Sequence, residues 1–197
     1  GRGVVVGEFA SPTAPPSQPS QMVYADALSN GWTNVSTTGT SLTSTNPVRR
    51  GTNAISITSG TGKGRSLTCT SRSLEGYAAL AFWVNSGTAT PPPLQVGVSR
   101  GGIALEAAPI TVPATVGWQR VVVPFTNLGI SNITDLSGLR IESRVVNGVT
   151  PGAFSLDDIE IVGNDEFNGT TTATITLTNL EQTYTGAPRP VTATTTP

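Results

Sequence analysis

The chain has 197 residues, enough for one domain of about 140 residues plus flanking segments or for two small domains, and its 11 basic against 12 acidic side chains leave a net charge of -1. That balance offers neither the basic footprint of a nucleic-acid-binding protein nor a polybasic membrane anchor. Histidine is absent, which removes the commonest general base and imidazole metal ligation, and the lone Cys69 excludes an internal disulfide and a multi-thiolate zinc site.

Residues 1–21 begin with Val4-Val5-Val6 and pass into a Pro/Ser-rich stretch over 11–20, whose prolines favour extended, solvated backbone. This segment reads as a linker with a short N-terminal strand. From Met22 to Gly163 the text changes to short alternating apolar and polar segments, separated by Gly, Asn, Ser and Pro at intervals of about 8–15 residues. Strands are predicted over 23–27, 54–58, 66–70, 79–85, 94–99, 103–106, 118–125, 139–144 and 154–161. No segment sustains the three-and-four apolar spacing of a helix, so helices are at most single turns. Short strands in this number imply an all-β domain over 22–163, made of two packed antiparallel sheets. Residues 164–172 are polar and turn-forming, a second linker. Residues 173–197 hold two further strand-like pieces, too few to bury a core, and read as a partial β module.

Strand parity separates core from surface, because successive side chains point to opposite faces. Leu80, Phe82 and Val84 face inward; so do Leu94, Val96 and Val98, and Leu139 with Ile141. Trp83, Gln95, Arg140, Glu142 and Arg144 then point outward. If these strands share a sheet, an indole is ringed by amide, guanidinium and carboxylate groups. Such a surface suits a neutral sugar, whose apolar face stacks on the ring while planar polar groups bind hydroxyls. The competing reading is an ordinary solvated face with Trp83 packed under a loop. Trp32 and Trp118, each just after a turn glycine, are expected as core plugs, and Tyr24 and Tyr77 as at least half-buried.

Asp26 and the pair Asp157-Asp158 interrupt apolar strand text. A carboxylate on an inward or edge-facing strand position needs a partner. Calcium, with about 6–8 oxygen ligands, could be that partner if loop carbonyls around residues 50–53 complete the shell; the alternative is that these aspartates sit exposed at strand ends. Glu106 and Glu142 are the mid-domain glutamates that a glycosidase would need, but nothing beside either in sequence favours a raised pKa. No catalytic role is expected.

The stretch Val23-Tyr24-Ala25-Asp26-Ala27-Leu28-Ser29-Asn30-Gly31-Trp32 resembles the opening strand of calcium-binding jelly-roll carbohydrate-binding modules attached to secreted polysaccharide-degrading enzymes. Further segments follow in the same order: Gly51 to Ile57, Leu80 to Asn85, Trp118 to Phe125 and Phe154 to Ile159. The resemblance implies a jelly-roll β-sandwich and non-catalytic polysaccharide or glycan binding. It also implies a structural Ca2+ held by Asp26 and Asp157, with Asp158 as a further candidate. The tail from Ala173 to Val191 resembles the first strands of MBG-type immunoglobulin-like repeats of bacterial surface proteins, which implies a fragment of a larger extracellular protein.

Two functions are therefore expected of different classes. One is a glycan-binding module, secreted or on the cell surface, with Trp83, Gln95, Arg140, Glu142 and Arg144 as its contacts. The other is a structural or adhesive subunit whose terminal strands mediate self-association by adding to a sheet edge of a neighbouring copy. No nucleic-acid partner and no membrane insertion are expected.

Overall fold

The computed structural model describes residues 14–36, 40–87, 92–112, 116–145, 148 and 150–168, together with two strands at 174–178 and 192–196. All nine predicted strands are present. They are β1 (Gln21–Tyr24), β4 (Ala54–Ile57), β5 (Gly64–Arg72), β6 (Tyr77–Asn85), β7 (Leu94–Arg100), β8 (Ile103–Glu106), β9 (Gln119–Pro124), β10 (Leu136–Ser143) and β11 (Phe154–Gly163). Two more, β2 (Thr33–Asn34) and β3 (Thr40–Ser44), carry no alternating apolar signal. They are short, hydroxyl-rich strands at sheet edges, where solvent takes the place of a core partner.

The strands form two antiparallel sheets. The six-stranded sheet runs β3-β4-β11-β6-β9, with β1 also pairing β11, and the five-stranded sheet runs β2-β5-β10-β7-β8. This is an all-β jelly-roll sandwich. Its core lies between the sheets and is filled by the side chains that parity assigned inward, including Leu80, Phe82, Val84, Leu94, Val96, Val98, Leu139 and Ile141. Tyr24 and Tyr77 are buried, and Trp32 joins the core with the Arg72 guanidinium 5.4 Å from its ring centroid. Trp118 differs from expectation: it is half-buried in the turn before β9 and does not reach the core.

Among the described residues helix is limited to a 3-10 turn, Phe125–Leu128, and a single turn α1 (Asn164–Phe167) in the stretch expected as linker. The described part of the proline-rich stretch is hydrogen-bonded to the domain, although Ala14, Pro16, Gln18 and Pro19 remain exposed. Gln18 N–H donates to the Gly76 carbonyl at 3.1 Å, and Ser20 Oγ accepts from Gly163 N–H at 3.0 Å. A Cβ on Gly163 would overlap the Gln18 carbonyl, so this close approach depends on glycine. Val4 to Val6 and Tyr184 lie outside the described residues. Strands β12 (Thr174–Thr178) and β13 (Thr192–Thr196) pair antiparallel with each other as a separate two-stranded sheet.

Candidate functional site

The sandwich separates what parity had grouped. Gln95, Arg140 and Glu142 lie on the outward face of the five-stranded sheet, with Arg144 just beyond the end of β10, whereas Trp83 is on β6 in the other sheet. The expected single platform is thereby corrected. Parity tells inside from outside but not which sheet a strand joins, and here the consecutive strands β6 and β7 lie in different sheets. Trp83 is partly exposed, and the Arg49 guanidinium covers its ring at 3.8 Å from the centroid.

The register of β5, β10 and β7 sets the outward face of the five-stranded sheet in rows. Thr68, Gly138 and Ser99 form one row; Ser66, Arg140 and Gly97 the next; Gly64, Glu142 and Gln95 the third. Strands about 4.8 Å apart and rows two residues apart set these side chains side by side as one floor. Gly97 leaves space for the Arg140 side chain to lie across β7, where it pairs with Glu106 of β8, while Arg140 Nε sits 3.2 Å from Glu142. Arg144 pairs with Glu106 at 3.3 Å and Glu142 at 3.8 Å. Both mid-domain glutamates are thus committed to arginines. Gln95 donates through Nε2 to the Ala107 carbonyl at 3.1 Å.

A groove of about 200 Å³ lies over this floor between Val35 and Ala104. Past Val35 and Ser66 it continues into a second depression of about 200 Å³ over Lys63, Gly64 and Glu142. Among the described residues no aromatic side chain lines either part. Ser66, Thr68, Ser99 and the two floor glycines were not singled out from sequence. Their signal was available in the small polar residues alternating with Leu67, Val96 and Val98, but small polar side chains on a strand's outer face are unremarkable until a neighbouring strand aligns them.

The three aspartates lie at the other sheet, linked by the loop over residues 49–53. β11 pairs β4 over residues 154–156 and β1 over 159–161, and its ladder with β6 is bulged between Asp157 and Glu160. Asp158 there has φ 42°, a left-handed conformation that Asp tolerates better than most residues. The loop over residues 49–53 closes over the bulge. Asp157 is fully buried; its Oδ2 accepts from Arg49 N–H at 3.0 Å and its Oδ1 from Asp158 N–H at 2.8 Å. Asp26 Oδ1 accepts from Thr52 N–H at 2.6 Å and Asn53 N–H at 2.8 Å.

Gly51, at φ 81°, makes that loop possible, since a Cβ there would overlap the Asp26 carboxylate. Burial pushes the Asp157 carboxyl above the usual range, whereas the backbone N–H donors of Asn53 and Thr52 hold Asp26 below it. Tyr24 between them is raised, first by burial and then by the charges of Asp157 and Asp26. Asp158 differs in its partners: its carboxylate pairs with Arg49 and, at 3.3 Å, with Arg50. Sequence reasoning missed Arg49, because only the tertiary fold brings it over Trp83.

Among the described residues no three acidic, histidine or cysteine side chains gather as a metal site, and no helix is long and apolar enough to cross a membrane. No family model and no curated protein matches the chain. Solved structures do. The family 11 carbohydrate-binding module from Clostridium thermocellum, in complex with a β-1,3-1,4-mixed-linked tetrasaccharide, is 14% identical, with 76% of this chain and 98% of that one covered at a TM-score of 0.50. The CBM22-1 xylan-binding domain of Paenibacillus barcinonensis is 17% identical, covering 78% of this chain and 97% of that one, also at 0.50. At such identities the likeness is one of fold: this chain is a jelly-roll β-sandwich of the kind those carbohydrate-binding modules have.

Proposed function

We propose that the chain is a non-catalytic carbohydrate-binding module that holds a polysaccharide along the groove on its five-stranded sheet. The observation that carries this reading is the pair of adjoining depressions that share Val35 and Ser66, floored by Gly97 and Gly138 and lined by Arg140 and Glu142, which Glu106 and Arg144 hold from beside them. Glycine in a central strand weakens it, and often marks a place where a ligand approaches the backbone closely. Planar guanidinium and carboxylate groups, held by one another, present fixed donors and acceptors to sugar hydroxyls. Without an aromatic floor, hydrogen bonding supplies the affinity. The low charge and Thr-rich composition fit an extracellular multidomain protein.

Affinity electrophoresis and calorimetry with mixed-linked β-glucan and xylan, the ligand classes named for the two neighbours, test the reading. A broader polysaccharide panel follows. Saturable binding to at least one member is expected, and failure across the panel overturns the proposal. Trp83→Ala is expected to leave affinity within about twofold of wild type, because the ring lies in the other sheet. It should lower stability by about 1 kcal/mol through loss of the Arg49 stack.

We also propose that Asp26 and Asp157 hold a structural calcium ion. A hard cation takes oxygen ligands, and carboxylates of β1's outgoing turn and of β11 are bridged here by one loop. Backbone carbonyls of residues 49–53 must complete the shell, since Asp158 is committed to Arg49 and Arg50. Calcium at about 100 times its dissociation constant stabilises by about 2.7 kcal/mol, or about 5–10 °C in melting temperature for a domain of this size. The shift should vanish in chelator. It should also shrink as the pH falls, because burial holds the Asp157 carboxyl up and a protonated carboxyl is a poor ligand. Identical melting curves in calcium and chelator at neutral pH remove the ion from the reading.

A further inference from the structure

We propose a second binding site, separate from the groove, for a single neutral sugar residue in the hollow where α1 meets the ends of β6 and β9. The hollow measures about 290 Å³, at the lower end of the range of about 300–1,000 Å³ for small-molecule pockets, so it suits one sugar residue rather than a chain. Its wall combines Tyr77, Thr126 and Phe167 with three amides, Asn132, Asn164 and Asn168. Among the described residues no Lys, Arg, Asp or Glu lines it. An ionic ligand would therefore lose water without gaining a counter-charge, whereas a neutral polyol would not.

Each amide offers both a donor and an acceptor carbonyl, the combination that sugar hydroxyls require. Asn132 and Asn168 are exposed and Asn164 is half-buried, so their amides are open to a ligand from solvent. Phe167 stands 40% exposed, and an aromatic ring at a pocket lip is a face for sugar C–H groups.

The single turn that carries Phe167 is held in place from several sides. Asp165 N–H donates to Ser17 Oγ at 2.9 Å and Asn164 N–H to the Gly76 carbonyl at 3.0 Å. Glu166 accepts from Ser20 Oγ and pairs with Arg120 at 3.5 Å. A wall fixed in this way loses little freedom on binding, which is how a small pocket gains affinity.

The test is a titration of the nitrogen-15-labelled full chain with glucose, galactose, mannose and N-acetylglucosamine, read on the side-chain amide signals of the three asparagines. One of these sugars is expected to shift all three signals with a single millimolar saturation curve. Phe167→Ala and Asn132→Gly should each weaken that binding about tenfold, a difference of about 1.4 kcal/mol. Both spare the fold, the first because the ring is exposed and the second because glycine accepts the φ of 49° that Asn132 adopts. Arg140→Ala should leave the titration unchanged, which separates this site from the groove. The proposal is overturned if no sugar shifts the three signals, if the shifts survive undiminished in Phe167→Ala, or if glucuronate binds as well as the neutral sugars.

Discussion

Asp157→Ala is expected to lower stability by about 4 kcal/mol, measured as a fall in melting temperature on the order of 10 °C. The carboxylate is fully buried and accepts the N–H groups of Arg49 and Asp158. Leaving one buried and one part-buried donor without acceptors costs about 1–3 kcal/mol each. One effect acts the other way: burial works against the charge of Asp157, so its removal relieves some desolvation. That relief is smaller than the loss, because the loop also supplies the donors that hold Asp26 and the guanidinium that covers Trp83. Asp157→Asn keeps one acceptor oxygen and should fall between alanine and wild type in calcium-free buffer. If Asp157→Ala melts within about 2 °C of wild type, the 49–53 loop is held by other contacts and the account of the bulge is wrong.

The second large effect is on binding. Arg140→Ala is expected to weaken polysaccharide affinity by about 10–100-fold, from hydrogen bonds to a charged group worth about 1.5–3 kcal/mol. Stability should scarcely change. The guanidinium is about one-third exposed, and ion pairs at such positions contribute about 0–1 kcal/mol. Arg144 remains to pair with Glu106 and Glu142 after the truncation. Arg140→Lys is expected to recover little affinity, because one ammonium cannot span Glu106 and Glu142 while also meeting a ligand. Calorimetry of the three proteins against the polysaccharide bound by wild type decides the matter. Equal affinities would move the binding site off this sheet face.

These expectations trace back unevenly to the amino-acid order. Alternation along β6, β7 and β10 named the core side chains, since a two-residue period leaves each strand one greasy side that must meet another. The interruption of apolar text at Asp26 and Asp157-Asp158 marked a special place, because an aspartate within a strand needs partners. What filled that place was not legible. Arg49 and Arg50 are more than 100 residues from Asp158 in the chain and reach it through tertiary packing alone.

The same limit governs the groove. That Arg140 and Glu142 point outward follows from one strand's own pattern, as does the outward direction of Trp83. Which outward residues share a surface depends on strand order, a property of the whole chain's path: β5, β10 and β7 are neighbours despite their distance in sequence, and β6 is not among them. Sequence alone therefore determined an all-β sandwich, the composition of its core and the positions of its unusual charges, because these follow from local periodicity and the cost of burying polar groups. The tertiary structure alone decided that the indole is capped by arginine and that the groove floor is glycine and hydroxyl, because register and sheet order arise only when distant strands pair.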